Sequence, residues 1–343
     1  MKRIMKYIPV LASLTLLAVS CETVIEFRGE KIDPKIVIYS LLQPDSVITV
    51  SIAKSHAVFE EKYEPQQITD AIVKLYSDGE LVETLTYVAP APQPGGYTPP
   101  DYSKYASQGI KPVHGSVYRI EVEMAGLKTA FGEASLPDLV PIIGIDTTED
   151  TETEGNIILL TRVRFSDPAE RNNYYRMTAW RLDGSYYGNK EEPWSPEIPV
   201  TIYESDCSYA SGNDPVINPQ QQEEEDLFGI SVQNSYHIFG DELIAGKTYD
   251  LTLGMNHRWP DTDYYEFSQF NFELQSITED LYLYLRSSAA HIQTNDVYIT
   301  EPVLVYTNIE NGLGVVGAMS PSKATLRIGE YPVTGVTYEV SRW

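Results

Sequence analysis

Ala71-Ile72-Val73-Lys74-Leu75-Tyr76, then Ser77-Asp78-Gly79-Glu80, then Leu81-Val82-Glu83-Thr84-Leu85-Thr86-Tyr87 is the stretch that decides the fold. Apolar and polar residues alternate on both arms, the period of a strand with one face buried. Between the arms sits Asp-Gly, a pair that tolerates the positive φ angles of a tight hairpin turn. The same grammar extends outward in both directions. Upstream, Lys35 to Leu41 and Val47 to Ala53 read as a second hairpin, turned at Gln43-Pro44-Asp45. Downstream, Tyr118, Ile120, Val122 and Met124 line one face of a strand that turns through Ala125-Gly126 into Leu127 to Ala134. Strands this dense, with no stretch of helical period, predict an immunoglobulin-like β-sandwich over residues 35–141. Tyr118, in Gly115-Ser116-Val117-Tyr118, stands where such sandwiches place a corner tyrosine whose hydroxyl bonds nearby backbone. The Pro-, Gly-, Tyr- and Ser-rich segment Ala89 to Lys111 reads as an insertion, either a mobile loop or a binding loop.

Leu136-Pro137-Asp138-Leu139-Val140-Pro141 closes that domain. An acidic linker is expected over residues 142–156, because Thr148-Glu149-Asp150-Thr151-Glu152-Thr153-Glu154 cannot bury itself. The remainder, 157–343, predicts a larger β-rich domain. Its strands are Ile157 to Phe165, Asn173 to Leu182, Ile230 to Phe239 and Lys247 to Asn256, with Asp183-Gly184 as a further turn and Lys190 to Asp226 as exposed loop. One amphipathic helix stands out: Ser276-Ile277-Thr278-Glu279 has the form of a capping box, and Ile277, Leu281, Tyr284 and Leu285 recur at helical spacing to about His291. Pro302 to Thr307 and Gly314 to Met319 read as strands around Asn308-Ile309-Glu310-Asn311-Gly312. The expected class is therefore all-β with one helix.

The N-terminus reads differently. Met1-Lys2-Arg3-Ile4-Met5-Lys6 is basic, Tyr7 to Val19 is apolar, and Ser20-Cys21 follows, the layout of a secretory signal over residues 1–20. The apolar run is short of the ~20 residues that span a bilayer. Leu17-Ala18-Val19-Ser20-Cys21 resembles the bacterial lipobox, so Cys21 is expected to carry acyl chains, with residues 21–34 as tether. Each buried methylene contributes ~0.8 kcal/mol, so two or three chains anchor firmly. With Cys21 acylated, Cys207 has no intrachain partner, and a disulfide framework is excluded. Formal charge is −24; removing residues 1–20, which hold three bases and no acid, leaves 22 bases against 49 acids, or −27. Nucleic acid is not an expected partner of so acidic a chain.

No chemistry-bearing constellation emerges. His56, His114, His237, His257 and His291 are scattered without metal-ligand spacing. Asp261-Thr262-Asp263-Tyr264-Tyr265-Glu266 begins like a calcium loop but lacks the glycine and the closing acid. Neither a phosphate-binding glycine loop nor a nucleophile elbow occurs. No catalytic, cofactor-binding or metal residue is therefore expected. The aromatics are more suggestive, namely Tyr174-Tyr175, Trp180, Tyr186-Tyr187, Trp194 and Tyr264-Tyr265. They read either as core and cross-strand pairs or as exposed faces for sugars and peptides.

Taken in order along nearly the whole chain, these pieces resemble one family, the Bacteroidota lipoproteins of domain of unknown function 4249. The resemblance rests on the lipobox, Ile36-Val37-Ile38-Tyr39, the Asp70 to Leu75 strand before its D-G turn, and the Gly115 to Val122 strand entry. It rests also on Phe165-Ser166-Asp167-Pro168 leading to Asn173-Tyr174-Tyr175-Arg176. Its most specific part is Glu301 to Ala318, which looks like the family's closing signature, "SNI-x-x-GLG-x-FGA", with Thr307 and Val316 standing where Ser and Phe are usual.

Such proteins are typically encoded beside TonB-dependent outer-membrane transporters. The resemblance thus implies a non-enzymatic accessory or ligand-capture lipoprotein of an uptake system. It would be held to the outer membrane through Cys21, facing the cell surface or, alternatively, the periplasm. A surface hydrolase on a β-sandwich and an adhesin or pilus-type component are the rival readings. Partner or ligand contact is expected in the second domain, at Tyr186, Tyr187, Trp194, Tyr264 and Tyr265, because these lie beside turn residues where burial is harder. The ligand itself is not specified.

Overall fold

The structure, a computed structural model, describes residues 33–56, 67–90, 103–151, 157–169, 172–187, 201–206, 209–210, 214–218, 233–257, 264–295 and 303–329. The chain divides into two compact units, Met1–Pro34 with His56–Tyr63, and Lys35–Ser55 with Glu64–Trp343. The first lies almost wholly outside the described residues. The second holds all three sheets and the helix.

Its elements begin with β1 (Ile36–Leu42), β2 (Thr49–Lys54), β3 (Ile72–Ser77), β4 (Glu80–Thr84), β5 (Thr86–Val88) and β6 (Ser103–Ala106). There follow β7 (Val117–Glu123), β8 (Ala130–Ser135), β9 (Ile142–Thr151), β10 (Ile157–Ser166), β11 (Tyr174–Tyr187) and β12 (Thr201–Asp206). Last come β13 (Tyr209–Ala210), β14 (Ile238–Gly240), β15 (Thr248–His257), β16 (Tyr264–Ile277), α1 (Glu279–Asn295) and β17 (Gly312–Gly329). The class is all-β with one helix, as the alternating pattern predicts.

One large sheet, in the order β12-β11-β16-β17-β1-β2-β6-β5, runs through the whole unit, and β14 adds to the edge of β11. Against one half of it packs the sheet β4-β3-β7-β8. Ile36, Ile38, Val50 and Ile52 meet Val73, Leu75, Tyr118, Ile120 and Val122 in a first core. Against the other half packs β13-β15-β10-β9, with Leu159, Val163, Phe165, Leu251, Leu253 and Met255 facing Tyr175, Met177, Phe270, Phe272 and Leu274 in a second. The joint is β17, an 18-residue strand. Residues 312–318 pair parallel with β1, and residues 319–329 pair antiparallel with β16.

The local turn chemistry acts as read. Asp78 and Gly79 take φ of 51° and 86° in the β3–β4 turn, and Gly126 takes 77° before β8. The Tyr118 hydroxyl accepts the Val113 N–H at 3.1 Å, the expected tie to upstream backbone.

Several readings are corrected. First, the boundary near Pro141 falls inside one compact unit, because Ile309, Val316 and Ala318 from the far end of the chain fill the first core. Burying Ile309 and Val316 contributes roughly 1.5–3 kcal/mol each, a large share of the ~5–15 kcal/mol by which a domain is stable. Second, the acidic stretch opens not as linker but as β9, ten residues paired with β10, since an edge strand can point acids to solvent. Third, the insertion Ala89 to Lys111 contains β6, anchored by Tyr105, whose ring is buried and whose hydroxyl donates to the Ile68 carbonyl. In the same way Lys190 to Asp226, expected as loop, contains β12 and β13. Fourth, the helix starts at Glu279 with Thr278 before it, and Ser276 Oγ instead accepts the Val140 N–H. Fifth, residues 303–309 form no strand, only an extended strap across α1.

Candidate functional site

Phe270, Phe272 and Leu274 of β16 are fully buried in the second core, so alternation turns Gln269, Asn271, Glu273 and Gln275 to the opposite, outer face. The same parity places Arg176, Thr178, Trp180 and Leu182 of β11 on that face, because Tyr175 and Met177 point into the core. On β17 it selects Pro321, Lys323, Thr325 and Arg327, since Leu326 and Ile328 pack inward.

Register assembles these into rows across three strands: Arg176–Gln275–Pro321, Thr178–Glu273–Lys323, Trp180–Asn271–Thr325 and Leu182–Gln269–Arg327. The face is polar and internally knitted. Gln275 Nε2 donates to Glu273 Oε1 at 2.9 Å, and Gln269 Nε2 to Asn271 Oδ1 at 3.0 Å. Thr325 Oγ1 donates to the same Asn271 oxygen at 3.2 Å, Arg327 Nε to Gln269 Oε1 at 3.1 Å, and Lys323 Nζ lies 3.7 Å from Glu273 Oε2. Asn271, Glu273 and Gln275 are only 8%, 8% and 5% exposed, yet Gln275 Oε1 accepts no hydrogen bond. Trp180 is half-buried. At one end α1 closes the face: Leu281 covers the row Tyr174–Ile277–Met319, and Tyr282 stacks on Tyr174 with centroids 4.7 Å apart.

Other buried carboxylates serve architecture. Asp167 accepts from the Tyr175 hydroxyl and from the Gly246 N–H, pinning the turn before β15 to the start of β11. Burial, reinforced by Asp167, pushes the Tyr175 phenol far up. Asp214 accepts from the Val216 and Thr252 N–H groups and the Tyr249 hydroxyl. His237 is held below its ordinary value by burial and by Arg176 nearby. A crevice of about 350 Å3 lies at the edge of the first sandwich, where Glu83 is already committed to the Gln108 N–H. Among the described residues no three His, Cys, Asp or Glu side chains group to hold a metal ion. No helix among them is long and apolar enough to cross a membrane.

Of the residues expected to make contact, the register brings two pairs together. Tyr186 stands opposite Tyr265 and Tyr187 opposite Tyr264, at the far end of β11 and β16. They do so in strands, not loops. Asp183-Gly184 does not reverse the chain, because Ser268 Oγ and Arg181 Nε donate to the Asp183 carboxylate at 2.6 and 2.7 Å and β11 continues past it. Trp194 and Cys21 lie outside the described residues, as does Cys207. Sequence reasoning missed Gln269, Asn271, Glu273 and Gln275, although Gln269 to Gln275 alternates polar and apolar residues without a break.

A family model, Domain of unknown function 4249, matches residues 22–325. The chain belongs to that family. A search of curated proteins returns no match. The segment from Tyr306 to Gly314 is held in place on both sides. Asn308 spans β17 sideways, its Nδ2 donating to the Val316 carbonyl at 2.8 Å and its Oδ1 accepting the Val316 N–H at 3.0 Å. Asp280 of α1 accepts from Asn308 and from the Tyr306 hydroxyl, and Ser287 Oγ accepts the Tyr306 N–H. Glu310 exchanges backbone hydrogen bonds with Phe131 of β8. Gly312 and Gly314 then let β17 lie directly against β1. The Thr307 hydroxyl accepts the Ile309 N–H at 3.1 Å.

Proposed function

We propose that this protein is an exported outer-membrane lipoprotein, anchored by acyl chains on Cys21, that acts without catalysis of its own as an accessory or ligand-capture component of a TonB-dependent nutrient uptake system. The observation that carries the reading is the knitted polar face of β11, β16 and β17, with a tryptophan among its amides and an unpaired buried acceptor. That is the make-up of a recognition surface, where polar side chains are held in place before a ligand arrives. The lipobox ending at Cys21 supports the anchor, and the family match begins at residue 22, immediately after it. With its acidic body, the protein gains nothing from anionic headgroups, so acyl chains supply the attachment.

The test is affinity purification from detergent-solubilised outer membrane, alongside metabolic labelling with a palmitate analogue. A TonB-dependent transporter is expected to co-purify with the parent, and Cys21→Ala is expected to lose the label and leave the membrane pellet. Equal labelling of both proteins, or purification without a transporter, overturns the reading.

A further inference from the structure

We infer that the outer face of the first half of the large sheet, formed by β17, β1, β2, β6 and β5, lies against the lipid surface and sets the orientation of the anchored protein. The inference rests on acylation at Cys21, which supplies the attachment itself.

The first support is charge. Strand residues 36–42, 49–54, 86–88, 103–106 and 312–318 include no Asp or Glu, in a chain that has 49 of them. Every other outer sheet face carries carboxylates: Glu121, Glu123 and Glu133 on β4-β3-β7-β8, Asp146 and Asp250 on β13-β15-β10-β9, and Glu273 on the other half of the large sheet. Headgroup surfaces are negative, so a carboxylate brought to one is both repelled and stripped of water. Among the described sheet faces, this one approaches lipid without either cost, and its central charge, Lys104, is a cation.

The second support is apolar surface left open to water. Ile36 and Ile38 point into the first core, so alternation turns Val37, Tyr39 and Leu41 outward. Register continues the face across five strands in the row Val315–Tyr39–Ser51–Lys104–Val88. Leu41 and Leu313 are each 37% exposed and Val88 is 40% exposed, and none of the three belongs to a core. α1 covers one margin, where Tyr284 meets Tyr39 with ring centroids 5.9 Å apart. A contiguous open apolar face marks a contact surface, and apolar side chains that enter the headgroup boundary bind in proportion to the area they bury. The third support is where the anchor joins. The tether from Cys21 ends at Lys35, next to β1, and reaches at most about 50 Å. The face is therefore held at high local concentration beside the bilayer, where a contact too weak to retain a free protein still orients a tethered one. A protein partner would require neither freedom from carboxylates nor nearness to the tether.

The test reconstitutes the mature acylated protein, carrying Cys207→Ser, in vesicles of phosphatidylethanolamine and phosphatidylglycerol and reads quenching of a bimane label by nitroxide lipid. Val88→Cys puts the label on the inferred face. Val117→Cys, at a residue 44% exposed on the outer face of the opposing sheet, is the control with the same anchor. Quenching at Val88 is expected to exceed that at Val117 clearly. Adding Lys104→Glu and Thr86→Glu, both at exposed positions of the inferred face, should lower it to the Val117 level while the protein still pellets with the vesicles. Lys104→Glu alone decides if the pair disturbs the melt. Equal quenching at the two sites, or quenching at Val88 that ignores the added acids, overturns the inference. A photocrosslinker at Val88 that joins a protein and no lipid in native outer membrane overturns it in favour of a protein partner. A palmitate-analogue label read on the same preparation separates the two readings: label with equal quenching removes the docking face alone, and absence of label removes the anchor and the inference with it.

Discussion

Gly314 lies against Ile38 across the parallel pair of β1 and β17 so closely that a methyl group on it would collide with the Ile38 backbone carbonyl. Its φ of +101° is also one that side-chain-bearing residues rarely adopt. The contact is where β17 enters the first core, so β17 can reach its register only with glycine at this point.

Gly314→Ala is therefore expected to cost about 3 kcal/mol or more, combining backbone strain with a steric clash that only a shift of β17 relieves. Urea unfolding followed by circular dichroism measures it. Gly144→Ala, where the nearest atom to the new methyl is Arg164 Cβ at 3.9 Å, is the control and should stay within about 0.5 kcal/mol. Equal midpoints for the two variants would contradict the account of the joint.

Asn308 stands in for a missing strand neighbour by satisfying both backbone groups of Val316. Asn308→Ala leaves both without that partner and should destabilise the protein by about 2–4 kcal/mol, whereas Thr307→Ser keeps the oxygen that accepts the Ile309 N–H and should change stability by less than about 0.5 kcal/mol. Differential scanning calorimetry separates the two. An Asn308→Ala protein that melts with the parent would mean the strap is held elsewhere.

Tyr249 and Tyr306 are each pushed up to about 12, first by burial and then by the Asp214 and Asp280 carboxylates beside them. A phenol whose folded pKa exceeds its unfolded value stabilises the fold fully below the unfolded value, about 10. Stability should therefore fall as pH rises from about 10 to about 12, because the unfolded chain releases protons that the folded one retains. Urea midpoints across that range test this, and a Tyr249→Phe, Tyr306→Phe protein should show a shallower slope. Parallel slopes would assign the alkaline loss to other groups.

How far the residues alone lead can be judged at particular positions. Asp78-Gly79 and Tyr118 were legible because what they do is decided within a few residues: a turn that needs positive φ, a hydroxyl that reaches backbone close by. Asp183-Gly184 carries the same letters as Asp78-Gly79 and does the opposite, because Ser268 and Arg181 satisfy the aspartate inside a strand. The local cue was outweighed by partners that are distant in sequence.

The candidate face divides in the same way. The alternation of Phe270, Phe272 and Leu274 with polar residues lies in the sequence by itself, since side-chain direction follows from strand period, whereas Tyr186-Tyr187 and Tyr264-Tyr265, expected beside turns, were placed in strands only by the pairing of β11 with β16. The class of the fold, the signal-like layout of residues 1–21, and the family also lie in the sequence. Only the tertiary structure decided that Tyr186 meets Tyr265, that Gln275 sits buried between Arg176 and Pro321, and that residues 312–318 complete a sheet begun at Ile36. Register between strands is set by the packing of two cores at once, and pairing between segments nearly three hundred residues apart depends on the free energy of the closed fold rather than on any preference of the segments themselves.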